Sequence, residues 1–492
     1  MIQSWYLLLP LLLPLISGLV IGLVPKVGES RRRDPLMLGV LALNLAVLVP
    51  VLLSPATELQ LFRLSDSLPI FLRTDDTGKF FAAVMAFLWA ASGLYATEYL
   101  AHGEGQRRYA SFYLMSLGVL MGLCFAGSIV TFYMFYELMT LLTVPLVLHE
   151  KTPEAVAAGI KYLIYSVLGA SLALLGIFIL SPWVETFSFA PGGVLNRAAL
   201  AGHEGAALTT VFLMLVGFGT KAGMFPLHGW LPTAHPVAPA PASAVLSGII
   251  TKAGVLGSLR LVYCFVGADF LRGTWAHIAW MGLTLFTVFM GSMLAYREDL
   301  LKKRLAWSSV SQVSYVLFGL STLHPLGLTG ALLHVAAHAL IKNTLFLSAG
   351  AIIHQTGKTR VSELRGIGRR MPTVMICFTV ASVGLVGIPP CLGFVSKWYL
   401  AQGAMAMTGL PAFLSYLAPA VLLLSALLTA GYLLVVSLRG FFPGEDAPAE
   451  QRDEPGWRML APLAVLAVLS VLLGLFPGGL ITLFGNIAAT VL

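Results

Sequence analysis

The chain has 492 residues, 58% hydrophobic and 11% charged, with a formal net charge of +8. No soluble core needs so apolar a chain at this length, so the composition excludes an ordinary globular enzyme and points to a polytopic membrane protein. Most basic residues lie in short loops, which makes them topology signals and not a nucleic-acid footprint. Cys124, Cys264, Cys377 and Cys391 are scattered through apolar segments without CxxC spacing, so no iron–sulfur or zinc site is read from them.

The first segment, MIQSWYLLLPLLLPLISGLVIGLV, lacks a basic leader and a cleavage site and reads as a span, not a signal peptide. It opens a series of about fourteen apolar segments, each roughly long enough for ~30 Å of hydrocarbon. They centre on residues 5–24, 36–53, 80–98, 111–126, 128–148, 159–181, 207–226, 239–264, 275–296, 307–323, 326–354, 372–402, 413–438 and 459–484. The expected fold is therefore an all-α polytopic membrane protein. The loops near 54–79 and 182–206 read as irregular and too short for an extramembrane domain. GEDAPAEQRDEPG, before the last span, reads as a solvated linker.

Loop charge predicts orientation. One set of alternating loops holds Lys26 with Arg31 to Arg33, Arg107 and Arg108, Lys151 and Lys161, the Arg297–Arg304 cluster with Lys302 and Lys303, Lys358 to Arg370, and Arg439, Arg452 and Arg458. The other set holds only Arg63, Arg73, Lys79, Arg197, Arg260 and Arg272. The positive-inside rule puts the richer set in the cytoplasm and, with an even number of spans, both termini outside. The cluster at Lys302, Lys303 and Arg304 reads as an ordinary loop feature.

Span 7 breaks at GMFPLHGWLP and carries Lys221; span 12, five spans later, breaks at GIPPCLGF and carries Lys397. Proline inside a helix removes a hydrogen bond, and such breaks are tolerated at membrane depth only where protein or water meets the freed backbone. An odd offset reverses the second copy, the pattern of inverted repeats with paired discontinuous helices. The chain then divides into spans 1–3 (residues 1–110), a first repeat of spans 4–8 (111–264), a second of spans 9–13 (265–438), and a linker with span 14 (439–492).

The polar residues inside the spans carry the chemistry, because a charge at the bilayer centre is costly and usually marks an ion path. Glu137, in VTFYMFYELMTLLTV, reads either as a structural ion-pair partner or as a carboxylate whose approach changes how tightly a lysine holds its proton. Lys221 lies about one turn before the span 7 break, and Lys252 is mid-span in LSGIITKAGVLG. His334, His338 and Lys342 follow at four-residue spacing in GALLHVAAHALIKNTLFLSAG and share one helix face. A metal would need further ligands, and two histidines on one face cannot grip both sides of a haem, so a wet polar wire is the better reading. His228 and His235 lie in the break between spans 7 and 8, where they either gate an inlet or cap broken helix ends.

With these residues placed, the chain resembles the antiporter-like subunits of respiratory complex I, Mrp-type sodium/proton antiporters and membrane-bound hydrogenases. The resemblance covers nearly the whole chain through FYELMTLLTVPL, KAGMFPLHGWLPTAHPVAPAPASAVLSGIITKAG, HVAAHALIKNTLFLSAG and GIPPCLGFVSKW. It implies a Glu137–Lys221 pair, a central lysine at Lys252, path histidines at His334 and His338, and a terminal residue at Lys397. The lysine at position 397, where middle-sized complex I members carry glutamate, is similar to the D-type subunit of Mrp antiporters. Lys342 has no counterpart among the family's path residues, and its role stays open. The resemblance implies a proton-translocating subunit with other membrane subunits as partners, no cofactor or metal in this chain, and the plasma membrane of a prokaryote as its place. The lone deep carboxylate argues against a sodium cage here, since hard cations want several oxygens. The competing readings are a redox subunit carrying quinone or haem, and a stand-alone solute transporter.

Overall fold

The computed structural model describes residues 2–65, 68–444 and 451–492. The expected linker over 444–456 falls partly on residues 445–450, which lie outside the described residues. Helices dominate. In chain order they are α1 (Leu9–Leu23), α2 (Ser30–Leu53), α3 (Asp76–Tyr99), α4 (Gln106–Cys124), α5 (Ile129–Val147), α6 (Pro153–Leu180), α7 (Glu204–Ala222) and the short α8 (Leu231–Val237). Then come α9 (Ala240–Val266), α10 (Trp275–Arg297), α11 (Leu301–Ser321), α12 (Pro325–Thr356), α13 (Pro372–Val386), α14 (Leu392–Ala406), α15 (Phe413–Phe441), α16 (Trp457–Leu475) and α17 (Gly478–Val491).

Eleven helices among the described residues are long and apolar enough to cross a membrane. Of the fourteen segments expected, the other three are α4, α11 and the 372–402 stretch. α4 and α11 have the length, 19 and 21 residues, but open on Arg107 and Arg108 and on Lys302 to Arg304. The third is divided into α13 and α14. Local chemistry sets several boundaries: the Ser128, Thr152 and Asp75 side chains each accept a first-turn N–H, at 3.1, 3.1 and 2.7 Å. α7 and α13 both stop at a glycine in the left-handed region, Gly223 (φ 82°) and Gly387 (φ 91°), with a proline shortly after.

Three expectations need correction. The segment 54–79 is not irregular: β1 (Ile2–Gln3) pairs parallel with β2 (Thr57–Ser65), which pairs antiparallel with β3 (Leu68–Arg73). The last span is not continuous, because α16 ends at Leu475 and α17 restarts after Pro477, which removes the backbone donor a through-helix would need. Arg260 is not a loop residue; it lies in α9 and is 3% exposed. The Thr490 and Val491 side chains line the same cavity as Arg73 and Asp75, so both chain ends lie at the face that carries the hairpin.

α9 is wholly buried and α12 almost wholly, whereas α1, α2 and α16 are about one-third buried. The two central helices therefore hold the interior while the peripheral ones present apolar surface outward. Within a membrane, helices associate through close packing and not through a hydrophobic driving force between them. Gly254 permits that approach: a Cβ there would stand 2.5 Å from the Phe218 carbonyl and 3.1 Å from Lys221 Cβ. Replacing it with a larger residue would push α7 from α9 and separate the lysines they carry.

Candidate proton path

α9 is not a uniform helix. A π turn, Leu246–Ile250, precedes the regular turns that carry Lys252, a local irregularity often found at functional sites. The Ser247 carbonyl accepts from Thr251 Oγ1 at 2.7 Å and from Lys252 Nζ at 2.9 Å. Lys252 Nζ also lies 2.5 Å from His338 Nδ1. His338 is fully buried, and among the described residues its Nε2 has no hydrogen-bond partner, which leaves that nitrogen free to exchange a proton.

One turn along α12, the His334 ring centroid is 6.2 Å from that of His338. His334 Nδ1 is 2.8 Å from Ser396 Oγ on α14, and Nε2 is 3.2 Å from Gln312 Oε1 on α11. The Ser396 hydroxyl also reaches the Gly393 carbonyl at 2.9 Å. A hydroxyl has one proton to donate and two lone pairs to accept with. By donating to Gly393 it accepts from a protonated Nδ1; by donating to His334 it serves the neutral ring. His334 thus keeps its partner in either charge state.

The Tyr315 ring stacks 5.5 Å from His334 and lies 5.1 Å from Lys397 Nζ. Lys397 donates to the Leu385 and Val386 carbonyls at 2.7 and 2.9 Å, so its ammonium satisfies orphan carbonyls at the broken end of α13, where the helix dipole favours a cation. Lys397 is half-buried, in contrast to Lys252 and both histidines.

Lys342, the third residue of the α12 face, donates to the Leu305 carbonyl at 3.0 Å and to Ser308 Oγ at 2.8 Å. Ser308 in turn accepts from the Tyr432 hydroxyl at 2.7 Å. Lys221 donates to Thr140, Ser166 and Tyr162 hydroxyls at 2.7, 2.9 and 3.3 Å, with the Tyr162 ring 4.8 Å away. Glu137 is half-buried on α5 and accepts from the Tyr133 hydroxyl at 3.3 Å. Among the described residues no ion pair joins Glu137 to Lys221, so this structure holds the two charges apart.

His235 is fully buried and stacked 4.7 Å from Phe346, and among the described residues neither ring nitrogen has a partner. The half-buried His228 lies near the Phe225 and Trp307 rings at 5.8 and 5.7 Å. Lys302 caps the broken helix, donating to Pro236 O at 3.1 Å and to Ala238 O. Arg304 is 7% exposed and ties α11 to Tyr432 O at 2.8 Å. The Lys302–Arg304 cluster is therefore structural, not a plain loop feature. A cavity of about 300 Å³ lined by Glu150, Pro236, Lys302 and Lys303 opens on this basic face.

The structure thus brings Lys252, His338, His334 and Lys397 into one row, with Lys342 beside it, and sets Lys221 and Glu137 apart in the first half. Gln312, Tyr315 and Ser396 were missed in the sequence; for the first two the signal was the serine-rich stretch WSSVSQVSY inside an otherwise apolar span, and Ser396 sits directly before Lys397 in GFVSKW. The side chains around the histidines include an ammonium and no carboxylate, and among the described residues no three His, Cys, Asp or Glu side chains converge on a point.

The family described as "NADH:quinone oxidoreductase/Mrp antiporter, TM" matches residues 126–423. Among individual proteins, the chain is 36% identical over 409 residues to the N-type subunit of the NADH-quinone oxidoreductase of Desulforudis audaxviator, covering 80% of this chain and 79% of that one. It is 27% identical over 406 residues to the D-type subunit of the Na(+)/H(+) antiporter of Bacillus subtilis, again with 80% and 79% covered. A chain of the Mrp complex from a Dietzia species superposes with a TM-score of 0.86 at 24% identity, over 99% of this chain and 97% of that chain. With the match running through both interrupted helices and the whole row from Lys252 to Lys397, the chain belongs to the NADH:quinone oxidoreductase/Mrp antiporter family.

Proposed function

We propose that the chain is a proton-translocating, antiporter-like subunit of a multisubunit membrane complex, either an Mrp-type cation/proton antiporter or a related redox-driven pump. The observation that carries this is the row from Lys252 through His338 and His334 to Lys397, built from α9, α12 and α14 across the protein interior. Protons enter from the basic face through the cavity beside Lys302, pass His228, His235 and Lys342, and load Lys252 and His338. They leave by His334 and Lys397. The basic face is cytoplasmic, and both termini lie outside, in the plasma membrane of a prokaryote. The likeness to a chain of the Mrp complex and to an antiporter subunit supports partner subunits of the same kind, and the exposed apolar surface of α5 and α6 supports a helix neighbour beside Glu137.

Glu137 and Lys221 act as the switch, closing and opening to change the proton affinity of the central lysine. A change of two pKa units is on the order of 2.7 kcal/mol, and moving one charge through 100 mV takes about 2.3 kcal/mol, so such a switch matches a membrane potential in size. The two halves, 111–264 and 265–438, act as inverted repeats. In support, α7 runs inward from the hairpin face and α13 from the basic face, and each stops at a left-handed glycine close to a lysine of the proposed machinery.

The test is reconstitution of the intact complex with Lys252→Ala. Loss of proton-coupled transport with the full set of subunits retained is expected; transport at the wild-type rate would end the proposal.

A further inference from the structure

The half of the interior that leads to Lys397 is lined by groups that donate or accept hydrogen bonds. The half between Lys221 and the hairpin face is built otherwise. Arg260 grips the Asp75 carboxylate with two nitrogens, Nη1 to Oδ2 and Nη2 to Oδ1, the second at 2.7 Å. The pair stands at the wall of a cavity of about 270 Å³ that also contains Arg73. From Arg260 a file of rings runs inward. Its guanidinium lies 5.3 Å from the Phe189 centroid. Phe189 is 6.4 Å from Phe132, Phe132 is 5.9 Å from Phe218, and Phe218 is 5.5 Å from Tyr136. The Lys221 ammonium is 5.5 Å from Tyr136. Phe218 also fills the notch on α9 between Arg260 and Lys252: a Cβ on Gly257 would stand 2.6 Å from its ring.

Phenylalanine has no atom that can take up or hand on a proton, and arginine does not deprotonate in proteins. A fixed buried cation also raises an electrostatic barrier to any other cation that approaches. This column therefore has the two properties a proton conductor lacks.

We propose that the Asp75–Arg260 pair and the Phe189–Phe132–Phe218 file form a seal that bars Lys221 and Lys252 from exchanging protons directly with the hairpin face. A proton on Lys252 then has one way out, along the histidines to Lys397. The inference rests on the proton path proposed above and adds the element that gives that path a single outlet. Without such an element the central lysine would short-circuit the gradient it serves.

The test is passive proton permeability. The intact complex is reconstituted in liposomes with an internal pH dye, and a potassium diffusion potential is imposed with no driving reaction. Phe218→Ala is expected to raise the leak about tenfold, the equivalent of about 1.36 kcal/mol off the barrier, and the double variant with Lys252→Ala to return it to the wild-type level. A fully assembled F218A complex that stays as tight as wild type overturns the seal. So does a raised leak that ignores Lys252. If F218A does not assemble, Phe189→Ala, at the outer end of the file, gives the same two readings. Failure of the path itself shows elsewhere, as unchanged coupled transport in Lys252→Ala alone.

Discussion

Lys252 Nζ and His338 Nδ1 lie 2.5 Å apart, joining α9 to α12 at the centre of the chain. At that distance one nitrogen donates a hydrogen and the other accepts it. His338→Phe keeps an aromatic ring but removes the acceptor. Coupled proton transport is expected to fall by about 10²-fold, the usual scale for a lost proton-transfer group. Thermal stability of the complex, followed in parallel, is expected to change little.

Ser396 serves His334 in both charge states through a rotating hydroxyl. Ser396→Ala removes that adaptability, whereas Ser396→Thr keeps it. The alanine variant is expected to slow transport about tenfold and to shift its pH profile, with threonine restoring both. Equal behaviour of the two variants would show that the hydroxyl has no part in transfer.

Glu137 is half-buried and held apart from Lys221. Glu137→Gln preserves shape and removes the charge. The row from Lys252 to Lys397 is intact in that variant, so proton movement under an imposed potential is expected to persist. Coupling to the partner reaction is expected to drop by about tenfold or more, the scale of one to two pKa units. The ratio of coupled to uncoupled flux checks this.

His149 lies just beyond α5 on the basic face. Burial, with Arg108 and Lys151 nearby, holds its imidazole down at about 4. An unfolded histidine takes up its proton near 6.5. The stabilisation is therefore complete above about 6.5 and is lost as pH falls to about 4, on the order of 3 kcal/mol in full. The melting temperature of the wild-type complex is expected to fall across that window, and His149→Gln to flatten the fall.

Much of this was legible in the sequence because membrane spans announce themselves by length and apolarity. Glycine followed by proline marked the breaks after Gly223 and Gly387 correctly. The hairpin at β2 and β3 was missed because its alternation is short and follows a long apolar helix. The Asp75–Arg260 pair was invisible, since nothing local links residues so far apart, and Arg260 passed for a topology signal. Lys302 passed for a loop residue because its carbonyl partners, at Pro236 and Ala238, come from the distant end of α8. Lys397 pointed to a D-type antiporter subunit, and the chain is similar both to that subunit and to an N-type oxidoreductase subunit.

The claim that Lys252 and Lys397 lie on one path is tested most directly by combining their alanine variants. Proton flux would be measured in liposomes holding the intact complex with Lys252→Ala, Lys397→Ala or both. Residues in series give a double variant no slower than the slower single one, because one broken step already stops the flow. Two substantial single-variant fluxes that multiply to a further loss in the double would mean separate routes, and would contradict the account.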